Sequence, residues 1–393
     1  MKRINNIYDE ILDLKKIQNM YDKRIRINTK NKKKLEKFEY NYVSNVIFIK
    51  NVLKNRNYVI GKYNIFLIKE PKIRLIMSQN IIDKIINHMV SEYLLNQYLE
   101  KKLIDTNIAT RKNKGTYYGI KLLKKYINEL KNDEFYILKF DISKYFYNID
   151  HDILKQLLLK NIKDKDVLKL VFDIIDSTDC SYVNKEITFL KKNEIKKNFS
   201  DKNIIKEIEK IPIYEKGKGL PIGNMSSQFL AIFYLNELDH FIKEKLNIKY
   251  YIRYMDDGIL LFKDKDYLKF CLNEIENILD KYKLKLNKDK TKIISSKQGF
   301  EFLGLRYIIK NNKLIIKIKN QTKRRFKRKM KKLSKLVEEK KMTKKEFKQI
   351  KDSYIGHLSL GNSKNLIKKT LKKEEKDIGC VKVEIINNEI VYK

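Results

Sequence analysis

Two adjacent aspartates, Asp256 and Asp257, lie inside the run YYIRYMDDGILLF (250–262), between flanks rich in Tyr, Ile, Leu and Phe. The flanks read as strands and the Asp-Asp-Gly between them as a tight turn. An isolated Asp-Asp-Gly is an ordinary solvated turn, because Asp and Gly are common there. Paired carboxylates on a rigid hairpin tip are also hard oxygen ligands for Mg²⁺, which takes its remaining contacts from water and substrate phosphates. A third carboxylate decides between these readings. Asp141 supplies one, following the β-run FYILKF (135–140), where a strand ends and hands its side chain to a site. Three carboxylates converging at strand ends could bind two Mg²⁺ ions. One would lower the pKa of an attacking 3′-hydroxyl and the other would stabilise a leaving pyrophosphate.

Asp141 is distant from the pair in the chain, so only folding onto neighbouring strands can unite them. The surrounding pattern alternates strands with helices, as in an α+β or α/β core. Residues 1–56 read as basic helices. Strand-like runs follow around Phe66 and Leu75, interrupted by Pro71, and then a long helix, NIIDKIINHMVSEYLLNQYLEKKL (80–103), with apolar residues three and four apart. Its His88 reads as a packed or helix-surface residue. A helix begins near DHDIL (150–154); the stretch from about 160 to 218 is charged and poor in breakers, and LKKNEIKKNFSDKNIIKEIEK (190–210) within it reads as solvated helix or insertion. EKGKGLPIGN (215–224) closes that stretch and opens another helix over 226–246. Beyond the hairpin come a helix, the run LKLNKDKTKII (284–294), a strand pair within 300–318 and a strongly basic helix over 319–341.

Composition favours a polyanionic partner: 88 Lys and Arg against 49 Asp and Glu give a net charge of +39. At 42% hydrophobic residues the chain of 393 can still bury a large core. The three cysteines, Cys180, Cys271 and Cys380, have neither zinc-ligand nor disulfide-framework spacing. Neither a signal-peptide core nor an apolar window of about 18 residues is present, so the expected location is the cytoplasm, without membrane partners.

The ordered motifs resemble those of reverse transcriptases over roughly residues 60 to 360. Tyr254-Met255-Asp256-Asp257 resembles the family's polymerase box, and Asp141 with ISKYF resembles the first catalytic motif of the palm. The resemblance implies a right-hand polymerase fold of the α+β class. Its expected parts are a basic N-terminal extension (1–56), fingers with the start of the palm (57–140), a palm (141–310) with a charged insertion at about 177–216, and a helical thumb (311–393). It implies catalysis by Asp141, Asp256 and Asp257, with Mg²⁺ held by these three and by Ile142, and Mn²⁺ as a substitute. KEPKIRL implies a triphosphate clasp of Lys72 and Arg74, where Arg offers a planar fork and Lys a mobile charge. Phe146 matches the aromatic that excludes a ribose 2′-hydroxyl. LPIGNMSSQ implies contacts from Ile222, Gly223 and Gln228 to the nascent pair. LKLNKDKT implies a lysine near the pyrophosphate, best matched by Lys290, with Lys288 competing. Template and primer contacts fall to Arg111, Gly115, Tyr254, Met255 and, in the FLGL primer-grip motif, Gly304. His357 has only a structural expectation.

Most reverse transcriptases carry Gln where Ile222 stands and Pro where Gln228 stands. The Ile-Gly-x-x-x-Ser-Gln form, RKNKGT (111–116) and SYIGHLSLGNSKNL (353–366) resemble reverse transcriptases of diversity-generating retroelements, which copy RNA with errors opposite adenine. Removing a polar side chain next to the nucleotide is a physical route to looser selection. Retron-type or other defence-associated enzymes are the alternative setting, and a non-catalytic nucleic-acid-binding protein is the alternative of another class. Expected partners are an RNA template, a DNA or RNA primer, dNTPs and a small accessory protein.

Overall fold

The computed structural model describes residues 3–70, 72–363, 365, 367–368, 383–386 and 389–392. Pro71, Lys364 and Leu366, and residues 369–382 of the expected thumb, lie outside the described residues. The chain forms two compact units of interleaved segments, Met1–Asn113 with Phe140–Gly258 and Phe270–Thr291, and Lys114–Lys139 with Ile259–Lys269 and Lys292–Lys393.

The first unit opens with helices Leu14–Met20, Lys32–Tyr40 and Tyr42–Lys54. Asp13 and Asn31 cap the first two by accepting backbone N–H groups that the first helical turn leaves unpaired. Strand β1 (Asn64–Ile68) pairs antiparallel with β2 (Arg74–Ser78), Ile68 opposite Arg74. Strand alternation turns Leu75 and Met77 into a core with Tyr63, Ile65, Val183, Ile187, Ile211 and Tyr214, and leaves Arg74 exposed. Helix Ser181–Lys197 packs here through its first half: Val183 and Ile187, four apart, share its buried face. Asn184 fixes that contact, donating to the Tyr214 carbonyl at 2.8 Å and accepting its N–H at 3.0 Å.

The long helix from Ile81 is continuous but irregular, with a π-helical stretch over Val90–Asn96. His88 is a packed residue there. Burial first, then the charges of Arg24 and Lys84, lower its pKa to about 4.

The central sheet has β3 (Tyr136–Asp141), β4 (Tyr250–Tyr254), β5 (Asp257–Phe262) and β6 (Lys292–Ser295) in the order β4-β5-β3-β6. β3 and β6 run antiparallel, Tyr136 opposite Ser295. Residues 251–253 and 258–261 are buried without alternation, as strands covered on both faces require.

In the second unit, the 300–318 region forms three strands rather than the expected pair: β7 (Phe300–Phe302), β8 (Leu305–Lys310) and β9 (Lys313–Ile318). The additional reversal occurs at Leu303-Gly304 and the other at Asn311-Asn312, all four residues having positive φ as tight hairpin turns demand. Helix Asn320–Glu338 buries Phe326, Met330 and Leu333 on one stripe and packs on helix Lys344–Ser359, which a Thr343–Glu346 capping box begins. Backbone strands β10 (Val383–Ile386) and β11 (Glu389–Tyr392) form an antiparallel pair.

Candidate active site

β3 ends at Asp141, whose residue is 5% exposed. The segment after it is zipped to residues 285–291. The Asp141 carbonyl accepts the Asn287 N–H at 2.7 Å, Ile142 bridges Leu286, and Ser143 N–H donates to the Lys285 carbonyl at 2.9 Å. Asn287 turns the chain back, its carbonyl accepting from the Lys290 and Thr291 N–H groups and its side chain from Asp289 N–H. This turn delivers Lys290, rather than Lys288, to the aspartate: its Nζ donates to Asp141 Oδ2 at 2.7 Å.

The hairpin turn lies one step earlier than Asp-Asp-Gly suggests. Tyr254 ends β4, Met255 takes the left-handed φ of 56°, Asp256 occupies the turn and Asp257 already begins β5. Gly258 is inside the strand for another reason. A Cβ there would stand 2.1 Å from Phe140 Cζ, so only glycine lets the start of β5 lie against the end of β3.

This packing brings the three carboxylates into one field. Burial, then the charge of Asp141, raises the Asp256 pKa above the usual carboxylate range. Burial works against the Lys290 ammonium. The hydrogen bond and charge of Asp141 outweigh it and, with Asp257 and Asp256 adding, hold the Lys290 pKa above the ordinary lysine value.

Two of the nucleotide-motif residues lie against β2. The Ile222 carbonyl accepts the Met77 N–H at 2.8 Å, and Gly223, at φ +134°, comes so near that a Cβ would meet the Met77 oxygen at 2.6 Å. Gln228 is half-buried in helix Met225–Tyr234. Phe146 is half-buried, edge-on to Tyr145, and its carbonyl accepts the Leu220 N–H at 2.8 Å. Lys72 and Arg74 are exposed at the start of β2. Tyr254 and Met255 are half-buried at the hairpin. Gly304 and Gly115 belong to the second unit, at the β7–β8 turn and at the start of helix Thr116–Leu130.

Arg111, expected on template or primer, is turned inward. It pairs with Glu100 at 3.0 Å and donates to the carbonyls of Ile104 and Asn107 at 2.6 and 2.9 Å. With Nε and Nη1 engaged within its own chain, the guanidinium cannot present its full fork to a phosphate.

Sequence reasoning missed Arg253 and Asp239, both wholly buried and paired at 2.6 Å. The signal was present, since an arginine within the apolar run YYIRY must find a buried partner or leave the strand. A separate group, His151, Asp176 and Asp179, has ligand atoms within 4.8 Å of one another. Its atoms are engaged already: His151 Nδ1 with Asp176 at 3.0 Å and Nε2 with the Gly219 carbonyl at 2.8 Å, Asp176 with Lys155, and Asp179 with the Gly217 N–H.

The family model for reverse transcriptase (RNA-dependent DNA polymerase) matches residues 60–307. Among solved structures, apo telomerase from Candida tropicalis truncated from the C-terminal domain is similar at 15% identity and a TM-score of 0.40, over 71% of this chain and 60% of the telomerase chain. No curated protein matches the chain. The matched region spans more than half of the sequence and contains Asp141, Asp256 and Asp257, and the chain belongs to the reverse transcriptase family of RNA-directed DNA polymerases.

Proposed function

We propose that this reverse transcriptase makes cDNA by two-metal nucleotidyl transfer at Asp141, Asp256 and Asp257, with the backbone of Ile142, and that it is the error-prone enzyme of a diversity-generating retroelement. The observation that carries the first part is the contact of Lys290 with Asp141 in the field of Asp256 and Asp257. The donor set fits Mg²⁺: hard carboxylate oxygens, one already drawing a lysine cation and one whose ionised form is disfavoured by burial until positive charge arrives. Bound there, Mg²⁺ or Mn²⁺ would acidify the primer 3′-hydroxyl and neutralise the leaving pyrophosphate.

The chain's own groups do the rest. Lys72 and Arg74, exposed and without an ion-pair partner among the described residues, hold the dNTP triphosphate. Phe146 limits the space at the sugar, and Lys290 donates to the departing phosphate. In this reading residues 57–140 are fingers with the start of the palm, 141–310 the palm and 311–393 the thumb, whose basic helix grips the phosphates of the template–primer duplex. The 1–56 helices form an N-terminal extension.

The retroelement assignment rests on Ile222. Its carbonyl accepts the Met77 N–H, and its side chain has no hydrogen-bonding group to offer a nucleotide. Extension of a DNA primer on RNA with dNTPs and Mg²⁺ tests the activity, and product sequencing tests the setting. Expected are extension lost in Asp256→Asn and errors concentrated opposite adenine that Ile222→Gln reduces. Extension that survives Asp256→Asn would overturn the site, and an unchanged error spectrum in Ile222→Gln would overturn the retroelement reading.

A further inference from the structure

We infer that Arg253 is a positioning residue for the carboxylate cluster, its buried fork holding the Met255 carbonyl and through it the aspartate that follows. The inference rests on the reading of Asp256 as a metal ligand. Arg253 Nε and Nη2 each donate to an Asp239 carboxylate oxygen at 2.6 Å, and Nη2 also reaches the Ile232 carbonyl at 2.8 Å. Nη1 is spent elsewhere, on the Met255 carbonyl at 2.7 Å. That carbonyl belongs to the one residue at the hairpin held at positive φ, a conformation that an unbranched non-glycine residue adopts only when its surroundings impose it.

Stability alone does not call for this arrangement. A buried ion pair replaced by apolar residues of like volume is often neutral or stabilising, because desolvation offsets the attraction. The frame around it is nonetheless elaborate. Asp239 also accepts from Tyr251 Oη at 2.8 Å and Asn107 Nδ2 at 3.2 Å. The Arg253 backbone pairs with Thr106 and Ile108 at 3.1 and 3.0 Å. Arg111 braces the same loop through the carbonyls of Ile104 and Asn107. The frame thus runs from Arg111 through residues 104–108 to β4 and ends on the peptide preceding Asp256. Lysine cannot substitute for Arg253, being a point charge without a fork.

The test uses the full chain carrying Arg253→Met with Asp239→Leu, and separately Arg253→Lys. Three quantities are read: thermal unfolding, Mn²⁺ binding by calorimetry without nucleotide, and the kcat and KM of single-dNTP incorporation. The expected double variant is folded, with Mn²⁺ affinity and kcat each lowered about 10- to 100-fold, as when partners that orient metal ligands are lost. The dNTP KM stays close to wild type, and Arg253→Lys does not rescue. A folded double variant that binds Mn²⁺ and turns over like wild type overturns this inference alone. Unfolding of both variants assigns the pair to stability and overturns it too. Wild-type protein that neither binds Mn²⁺ nor incorporates nucleotide overturns the cluster assignment and this inference with it.

Discussion

Lys290 Nζ lies 2.7 Å from Asp141 Oδ2, so a cation touching the acidic cluster is delivered by a turn that is itself hydrogen-bonded to the Asp141 backbone. Lys290→Met is expected to leave the carboxylates repelling one another. Without Mg²⁺ the variant should unfold a little earlier than wild type. The loss is about 1 kcal/mol or less, because the lysine is half exposed and solvent-screened. Added Mg²⁺ should then stabilise the variant more than wild type. Thermal shifts with and without the ion check this, and equal shifts in the two proteins would remove Lys290 from the cluster.

Asp256 must be ionised to serve, and burial followed by the charge of Asp141 raises its pKa. Activity should therefore fall on acidification before ordinary carboxylates titrate. More Mg²⁺ favours the ionised form and should move this acid limb to lower pH. The folded state holds the proton more tightly than the unfolded chain. This group's contribution to stability is thus present at low pH and lost as pH rises through its folded value. Asp256→Asn should abolish extension without lowering the melting temperature at neutral pH. Profiles of kcat/KM at two Mg²⁺ concentrations decide the first point, and an acid limb indifferent to the ion would contradict it.

Alanine at Lys72 and Arg74 should raise the dNTP KM while leaving RNA affinity nearly unchanged. One charge-assisted hydrogen bond is worth about 1.5–3 kcal/mol, a tenfold or larger effect for each. Filter binding of template alongside single-nucleotide kinetics separates the two quantities, and parallel losses in both would refute the clasp.

Gly258→Ala should destabilise by about 1–3 kcal/mol, the usual cost of overpacking, because the Phe140 ring is fully buried and cannot swing aside. Shortening the obstacle with Phe140→Leu should recover part of the melting temperature in the double variant. Additive losses would show that the two positions do not press on each other.

Membership of the reverse transcriptase family was legible because the motifs that carry the resemblance are local in sequence. Asp141 closes an apolar strand run, and the hairpin flanks are unambiguous. What escaped depends on partners distant in sequence. The reversal at Met255-Asp256 lies where Arg253, anchored on Asp239, donates to the Met255 carbonyl, whereas the turn propensity of Asp-Asp-Gly pointed one step on. The glycine that propensity assigned to the turn is needed instead for a ring on another strand. Arg111 was expected on template or primer because a motif resemblance does not tell which way a side chain turns.

Gly223 pressed against the Met77 oxygen, with the Met77 N–H held by Ile222, makes the β2 strand and the following motif a single mechanical body. A swing of the strand bearing Arg74 would drag residue 222 along with it. With residue 222 at the nascent base pair and Arg74 on the triphosphate, as proposed, discrimination between bases and capture of the triphosphate would be coupled kinetically, and a mutation that slows one would be felt in the other.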